Sequence, residues 1–427
     1  MLEKILDILK EEIIPAEGCT EPIALAYAGS KLRDILGNIP EKIDAYLSGN
    51  MIKNVKSVKI PNSEGMVGID AGIAMGLIVG DSKKELMVIS GADKSKLPEV
   101  KKYIDEKRIN VFLNEGDVKL YIKLVGTYGK NVATIEIQNY HTNITEITKN
   151  GEKILGQSCD DRSFVDSPMT DRSFLTMELI YNTAKTIELE KIEPIFKKVI
   201  ECNTTIAKEG LINLYGIGIG KTIKEGIEEG VYGNDLRNNM ASFASAGSDA
   251  RMNGCSLPVM TTSGSGNQGM TASLPVIKFC EMKNIPYEQL IRGLFFSHLT
   301  TIHIKTNIGR LSAYCGAMCA SAGVAGAISF LDGLTLEQCG KAIETTLGTM
   351  SGLICDGAKS SCATKIVSGI SCAFDSYYAA KKNRSFLFGE GIIGRDVEKT
   401  IKNTGILGKE GMLETDKVIL DIMVNNK

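Results

Sequence analysis

Leu2, Ile5, Leu6, Leu9 and Ile13 recur at helical spacing, which predicts an amphipathic helix over residues 2–14 that stops at Pro15. A second helix starts near Pro22: proline suits a first turn, and Thr20 before it is an acceptable N-cap. Glu17-Gly18-Cys19-Thr20-Glu21-Pro22 therefore reads as a turn feeding a helix N-terminus, a place that favours the thiolate of Cys19. From about residue 40 to 155 the pattern changes to short strand-like runs at 110–113, 120–125 and 132–137, with helical segments near 69–79 and 97–105. Asn150-Gly151, set between alternating runs, predicts a hairpin. Beyond about residue 170 helical spacing dominates, over 175–184, 192–208, 287–298, 336–347 and 364–380, with uncharged glycine-rich loops between. The pattern predicts an α+β protein: an N-terminal α/β domain with a mixed sheet over 1–175, then a mainly helical domain over 176–427.

Composition narrows the class. With 427 residues, 43% hydrophobic and 23% charged, the chain is long enough for two or three packed cores and is of ordinary globular make-up. Forty-nine basic residues against 51 acidic ones leave no basic excess for nucleic acid. No secretory signal is visible at Met1-Leu2-Glu3-Lys4-Ile5, so a cytoplasmic location is expected. The uncharged stretch Leu311 to Leu331 is long enough for a membrane span, but Gly, Ala, Ser and Cys fill it, and it is expected to be a buried helix. Eleven cysteines in a reducing compartment are not expected to form disulfides, and seven of them fall between 280 and 372. Metal, catalysis or packing must account for them.

Several motifs bear on chemistry. Gly216 to Thr222 imitates a phosphate loop but has Tyr215 where the first glycine belongs, so an interhelical turn is expected. Ser263-Gly264-Ser265-Gly266-Asn267-Gln268-Gly269 groups hydroxyls, amides and backbone N–H donors that suit a small carboxylate, and Arg251 just upstream adds a cation. His141, His298 and His303 are too few and too separated for a zinc hydrolase and are expected to be packed or surface residues, with His303 or Lys305 a candidate for proton transfer. The densest constellation is Cys315 and Cys319 followed by Cys355-Asp356-Gly357-Ala358-Lys359-Ser360-Ser361-Cys362. Soft thiolates without histidine point to an iron–sulfur cluster or zinc, and three thiolates on a cluster would leave one iron open as a Lewis acid.

The motifs at 17–22, 263–269 and 355–362 together resemble the L-cysteine desulfidases, which belong with the iron–sulfur L-serine dehydratases. The resemblance covers nearly the whole chain and is looser towards the serine enzymes. It implies a 4Fe-4S, oxygen-sensitive lyase, independent of pyridoxal phosphate, that converts L-cysteine to pyruvate, ammonia and sulfide. By position, Cys315, Cys355 and Cys362 match the cluster ligands. The interval between the last two is shorter than in the serine enzymes, and Cys319, on the same helix face as Cys315, is the alternative. Cys19 is expected either to take the substrate α-proton or to cap the fourth iron. Thr20, Arg251, Ser263, Ser265, Asn267, Gln268 and Lys359 are expected around the substrate, with Lys359 alternatively moderating the cluster's charge. The remaining cysteines, Cys159, Cys202, Cys255, Cys280, Cys339 and Cys372, are read as packing residues. A small-molecule substrate, no nucleic acid, no membrane and a homodimer fit this reading; a serine dehydratase or a non-enzymatic iron–sulfur sensor are the alternatives.

Overall fold

The computed structural model describes residues 1–116, 118–156 and 169–425; Cys159 lies outside them. The chain opens with α1 (Leu2–Glu12), β1 (Pro15–Glu17) and α2 (Thr20–Leu36), then β2 (Lys42–Ser48), α3 (Gly49–Val55), α4 (Gly68–Val79) and α5 (Leu97–Asp105). Five strands follow: β3 (Ile109–Asn114), β4 (Tyr121–Tyr128), β5 (Asn131–Gln138), β6 (Ile144–Lys149) and β7 (Glu152–Gly156). The second half is helical: α6 (Met177–Thr186), α7 (Glu193–Ile212), α8 (Ile219–Glu228), α9 (Leu236–Met252), a short β8 (Pro258–Met260) and α10 (Gly266–Lys283). It continues through α11 (Tyr287–Ile308), α12 (Gly316–Leu331), α13 (Leu336–Met350), α14 (Ser361–Lys381), α15 (Val397–Ile406) and α16 (Leu413–Asn425). The expected α+β class holds.

The mixed sheet has the order β3-β2-β4-β5-β6-β7, with β2 and β3 parallel and the other neighbours antiparallel. Alternation decides its buried face: Ile43, Ala45 and Leu47 of β2, Ile122 and Leu124 of β4, and Ala133, Ile135 and Ile137 of β5 all point into one core with α2 and α4. A second core collects α6, α7, α9 to α15 and Ile419 of α16, and α1 joins it through Ile5, Ile8 and Leu9. The strand pair β1 and β8 ties the cores together, with Ala16 opposite Val259.

Three expectations are refined. In the glycine-rich 216–222 stretch the expected interhelical turn between α7 and α8 ends at Gly218, and Ile219 to Thr222 already belong to α8. The 263–269 stretch is half loop and half helix, because Ser265 caps α10 and Gly266 already belongs to it. In the 311–331 stretch the buried helix begins only at Gly316; the residues before it form an extended bridge in which Tyr314 pairs with Ile354. No described helix is long and apolar enough to cross a membrane.

Candidate active site

Four helix N-termini converge on one cavity of about 100 Å³. Cys19 is the N-cap residue of α2, Ser265 of α10 and Cys315 of α12, and Cys362 lies in the first turn of α14. Each N-terminus carries unpaired N–H groups and partial positive charge, so together they favour an anionic occupant. The bridge between Tyr314 and Ile354 sets two thiols side by side: Cys315 N–H donates to the Leu353 carbonyl at 3.3 Å and Cys355 N–H to the Ala313 carbonyl at 2.6 Å.

Cys315, Cys355 and Cys362 all line the cavity, whereas Cys319, one turn into α12, is fully buried away from it. Burial raises the Cys315 thiol far above its ordinary range, and the neighbouring Cys355 and Cys362 raise it further. Cys362 is likewise pushed up to about 11, by burial and then by Cys355. The opposition that Cys315 and Cys362 meet to ionisation is what a cationic iron core would relieve, so the donor set fits a cluster. No three His, Cys, Asp or Glu side chains among the described residues are arranged to hold a single metal ion. The charge of Lys365 eases both Cys315 and Cys362.

Cys19 departs from the sequence-based expectation. Its N-cap position does not yield a thiolate: burial first, and then the Glu21 carboxylate, push the thiol well above its ordinary value. The thiol instead donates to Glu21 Oε2 at 3.0 Å. Glu21 is the hub of this side of the cavity, since Thr20 Oγ1 lies 3.1 Å from the same oxygen and Asn54 Nδ2 donates to Oε1 at 3.0 Å. Thr20 also reaches the Gly264 carbonyl at 2.9 Å, and its single proton can serve only one of the two acceptors at a time. Although burial opposes it, ionised Glu21 is held below the usual carboxylate range by His141, the Cys19 thiol and Arg251.

The expected substrate residues Thr20, Arg251, Ser263, Ser265, Asn267 and Gln268 all line the cavity. Arg251 is buried and anchored by donating Nε to the Gly18 carbonyl at 2.9 Å. Asn267 is used internally, accepting from Ser248 at 3.2 Å and donating to Met252 Sδ at 3.4 Å. Ser265 caps the Gln268 N–H, while Gln268 Oε1 is buried with no partner among the described residues, an acceptor ready for an ammonium group. Lys359 is not brought in. It is not among the residues that line the cavity, and it pairs with Asp356 at 3.2 Å.

The lining residues that the sequence did not assign to the site include Glu21, Lys53, Asn54, His141, Arg310 and, except as a proton-transfer candidate, Lys305. His141 comes from the turn between β5 and β6, so the sheet domain reaches into the site formed by the helices. Burial keeps its imidazole neutral, lowering it to about 4 despite the favourable charge of Glu21. Arg310 sits 4.5 Å over the Tyr140 ring and donates to Glu12 Oε2 at 3.0 Å. The other histidines lie elsewhere: His303 pairs with Glu398 at 2.8 Å, and His298 is buried against Thr262 at 2.7 Å. Only a polar Asn-Tyr-His-Thr-Asn run between two strand patterns hinted at His141.

Residues 84–421 match the family described as serine dehydratase alpha chain. Over its whole length the chain is similar to UPF0597 proteins of several bacteria. It is 59% identical to one from Fusobacterium nucleatum, with 99% of both chains aligned. It is 43% identical to one from Lachnoclostridium phytofermentans over 100% of both. Against one from Desulfitobacterium hafniense the identity is 42%, over 98% of this chain and 96% of the relative.

Proposed function

We propose that this chain, which belongs to the serine dehydratase alpha-chain family, is an L-cysteine desulfidase whose 4Fe-4S cluster is held by Cys315, Cys355 and Cys362. The observation that carries the reading is the meeting of these three thiols with the Cys19 thiol around one small cavity, with Cys19, Cys315 and Cys362 at helix N-termini. A cluster bound there would supply a soft Lewis acid for the departing group. The chain's own residues do the rest. Arg251 and Arg310 hold the substrate carboxylate, the Gln268 carbonyl accepts from its ammonium group, and the buried walls exclude water. Elimination across Cα and Cβ then releases sulfide and aminoacrylate, which hydrolyses to pyruvate and ammonia.

Preference for a thiol substrate is supported by the wall formed by Cys19, Ala358 and Cys362, which is backed by Val58 and Met252 in a small apolar cluster. A hydroxyl placed there would lose its water without gaining partners, whereas a thiol is a weak hydrogen-bonding group at home in such surroundings. The family description favours a second reading, L-serine dehydratase, which needs only the same site and a harder leaving group.

Purification without oxygen, followed by addition of L-cysteine or L-serine, separates the readings. The expected result is a brown, iron-containing protein that releases sulfide and pyruvate in equal amounts from L-cysteine. A higher kcat/KM for L-serine would establish the dehydratase reading instead. A colourless protein that leaves both amino acids untouched would sink both.

A further inference from the structure

We infer that His141 is the catalytic base that removes the substrate α-proton, with Glu21 as the positioning residue that supports the charge His141 then carries. The inference deepens the desulfidase reading and rests on it.

The geometry selects His141. Its side chain is 5% exposed and lines the cavity, and its Nε2 is buried with no hydrogen-bond partner among the described residues. A buried imidazole nitrogen without a partner is costly, and it is kept where an incoming group will satisfy it. The other two histidines cannot serve, since His303 is engaged by Glu398 and neither His303 nor His298 lines the cavity. Cys19 is a poorer acceptor, because its proton is already directed at Glu21.

Electrostatics explain how a neutral imidazole becomes basic when it is needed. The Glu21 carboxylate favours the imidazolium, while Arg310 and Arg251 oppose it. A substrate carboxylate that answers the two guanidinium groups removes the opposition and leaves Glu21 in support. Binding of the correct ligand thus switches the base on. In the elimination, the Cα–H pair becomes the second bond between Cα and Cβ, and the Cβ–S pair leaves with sulfur. The proton waits on His141 and is returned to the sulfur, giving hydrosulfide; nothing is oxidised or reduced.

The test uses anaerobically purified, cluster-loaded enzyme and the variants His141→Gln, His141→Asn and His141→Gly. Removing a general base is expected to lower kcat for L-cysteine by on the order of 10² to 10⁴, with KM little changed. Iron content, cluster absorbance and thermal midpoint should match the wild type. Added imidazole should restore part of the turnover of His141→Gly alone. Turnover within a few fold of wild type in His141→Gln would overturn the inference. So would loss of iron in step with activity, which would place His141 in the scaffold. A wild-type enzyme that releases no sulfide from L-cysteine defeats the underlying reading, and does so before any substitution is made.

Discussion

A Cβ on Gly264 would stand 2.6 Å from Arg310 Nη1 and 3.2 Å from His141 Cε1, and φ there is +78°, in the left-handed region that L side chains resist. Glycine is what lets two charged or titratable side chains close on the loop. Gly264→Ala should therefore fold but lose at least roughly tenfold in kcat/KM, about 1.4 kcal/mol of transition-state binding, since both Arg310 and His141 must retreat. Steady-state kinetics with L-cysteine beside a thermal scan would check this, and unchanged kinetics would show that neither side chain needs its present place. Two cysteines one helical turn or a short loop from their neighbours are separated by the same logic. Cys362→Ser should strip iron from the protein, because that thiol shares the cavity with Cys315 and Cys355, whereas Cys319→Ser should keep it. Iron analysis of the two variants gives the answer directly, and the reverse result would exchange the ligands.

Among the elements, α8 depends on a neighbour for its start. Gly218, in the left-handed region with φ of +60°, offers no side-chain cap, and Asp249 of α9 accepts from the Gly220 N–H at 3.0 Å instead. The carboxyl is fully buried and its second oxygen has no partner among the described residues, so burial outweighs the cap and lifts it to about 6 from an ordinary 3.8. Because the folded value is the higher one, its contribution is complete below about 3.8 and fades as pH rises through about 6. Asp249→Asn removes that dependence. Its stability relative to wild type should improve between pH 5 and pH 8 by on the order of 1–3 kcal/mol, measured by denaturant unfolding, and a parallel pair of curves would contradict the burial argument. The same element scale shows what could be read in advance. Helices such as α1 and α13 announce themselves by apolar spacing because one face alone meets the core. The strand β2 and helix α9 escaped notice: α9 is buried almost all round, so Ala, Ser and Gly fill every face and leave no period. At the site, Cys315, Cys355 and Cys362 were legible as a soft-donor cluster, and Ser263 to Gln268 as a polar loop. Glu21 and His141 were not, since a first-turn acid and a turn histidine acquire their meaning only from a contact made across the two cores.

At the scale of the molecule the site is a joint. The sheet core supplies Glu21, Asn54 and His141, the helical core supplies Arg251, the 263–268 segment and the three thiols, and the cavity lies between them. Lys53 and Asp416 fasten this joint. Lys53 leaves α3 with a side chain only 2% exposed, pairs with Asp416 of α16 and also donates to the Cys355 carbonyl at 3.4 Å. Asp416 in turn accepts from the Ala313 N–H at 3.1 Å and from Asn50 at 3.2 Å. One ion pair thus grips both backbone segments that carry Cys315 and Cys355, and it draws on the first and last parts of the chain to do so. Removing one partner strands a buried charge, at a cost of about 3–5 kcal/mol, and frees both segments. Lys53→Met should lower the thermal midpoint and speed iron loss to a chelator, although neither residue is a ligand. Lys53→Met together with Asp416→Leu should recover much of the midpoint, because no charge is left unpaired, but not the iron retention, because the backbone grip on Ala313 and Cys355 is gone. Recovery of both properties would mean that the pair contributes stability alone; recovery of the first without the second would assign it to the geometry of the cysteines.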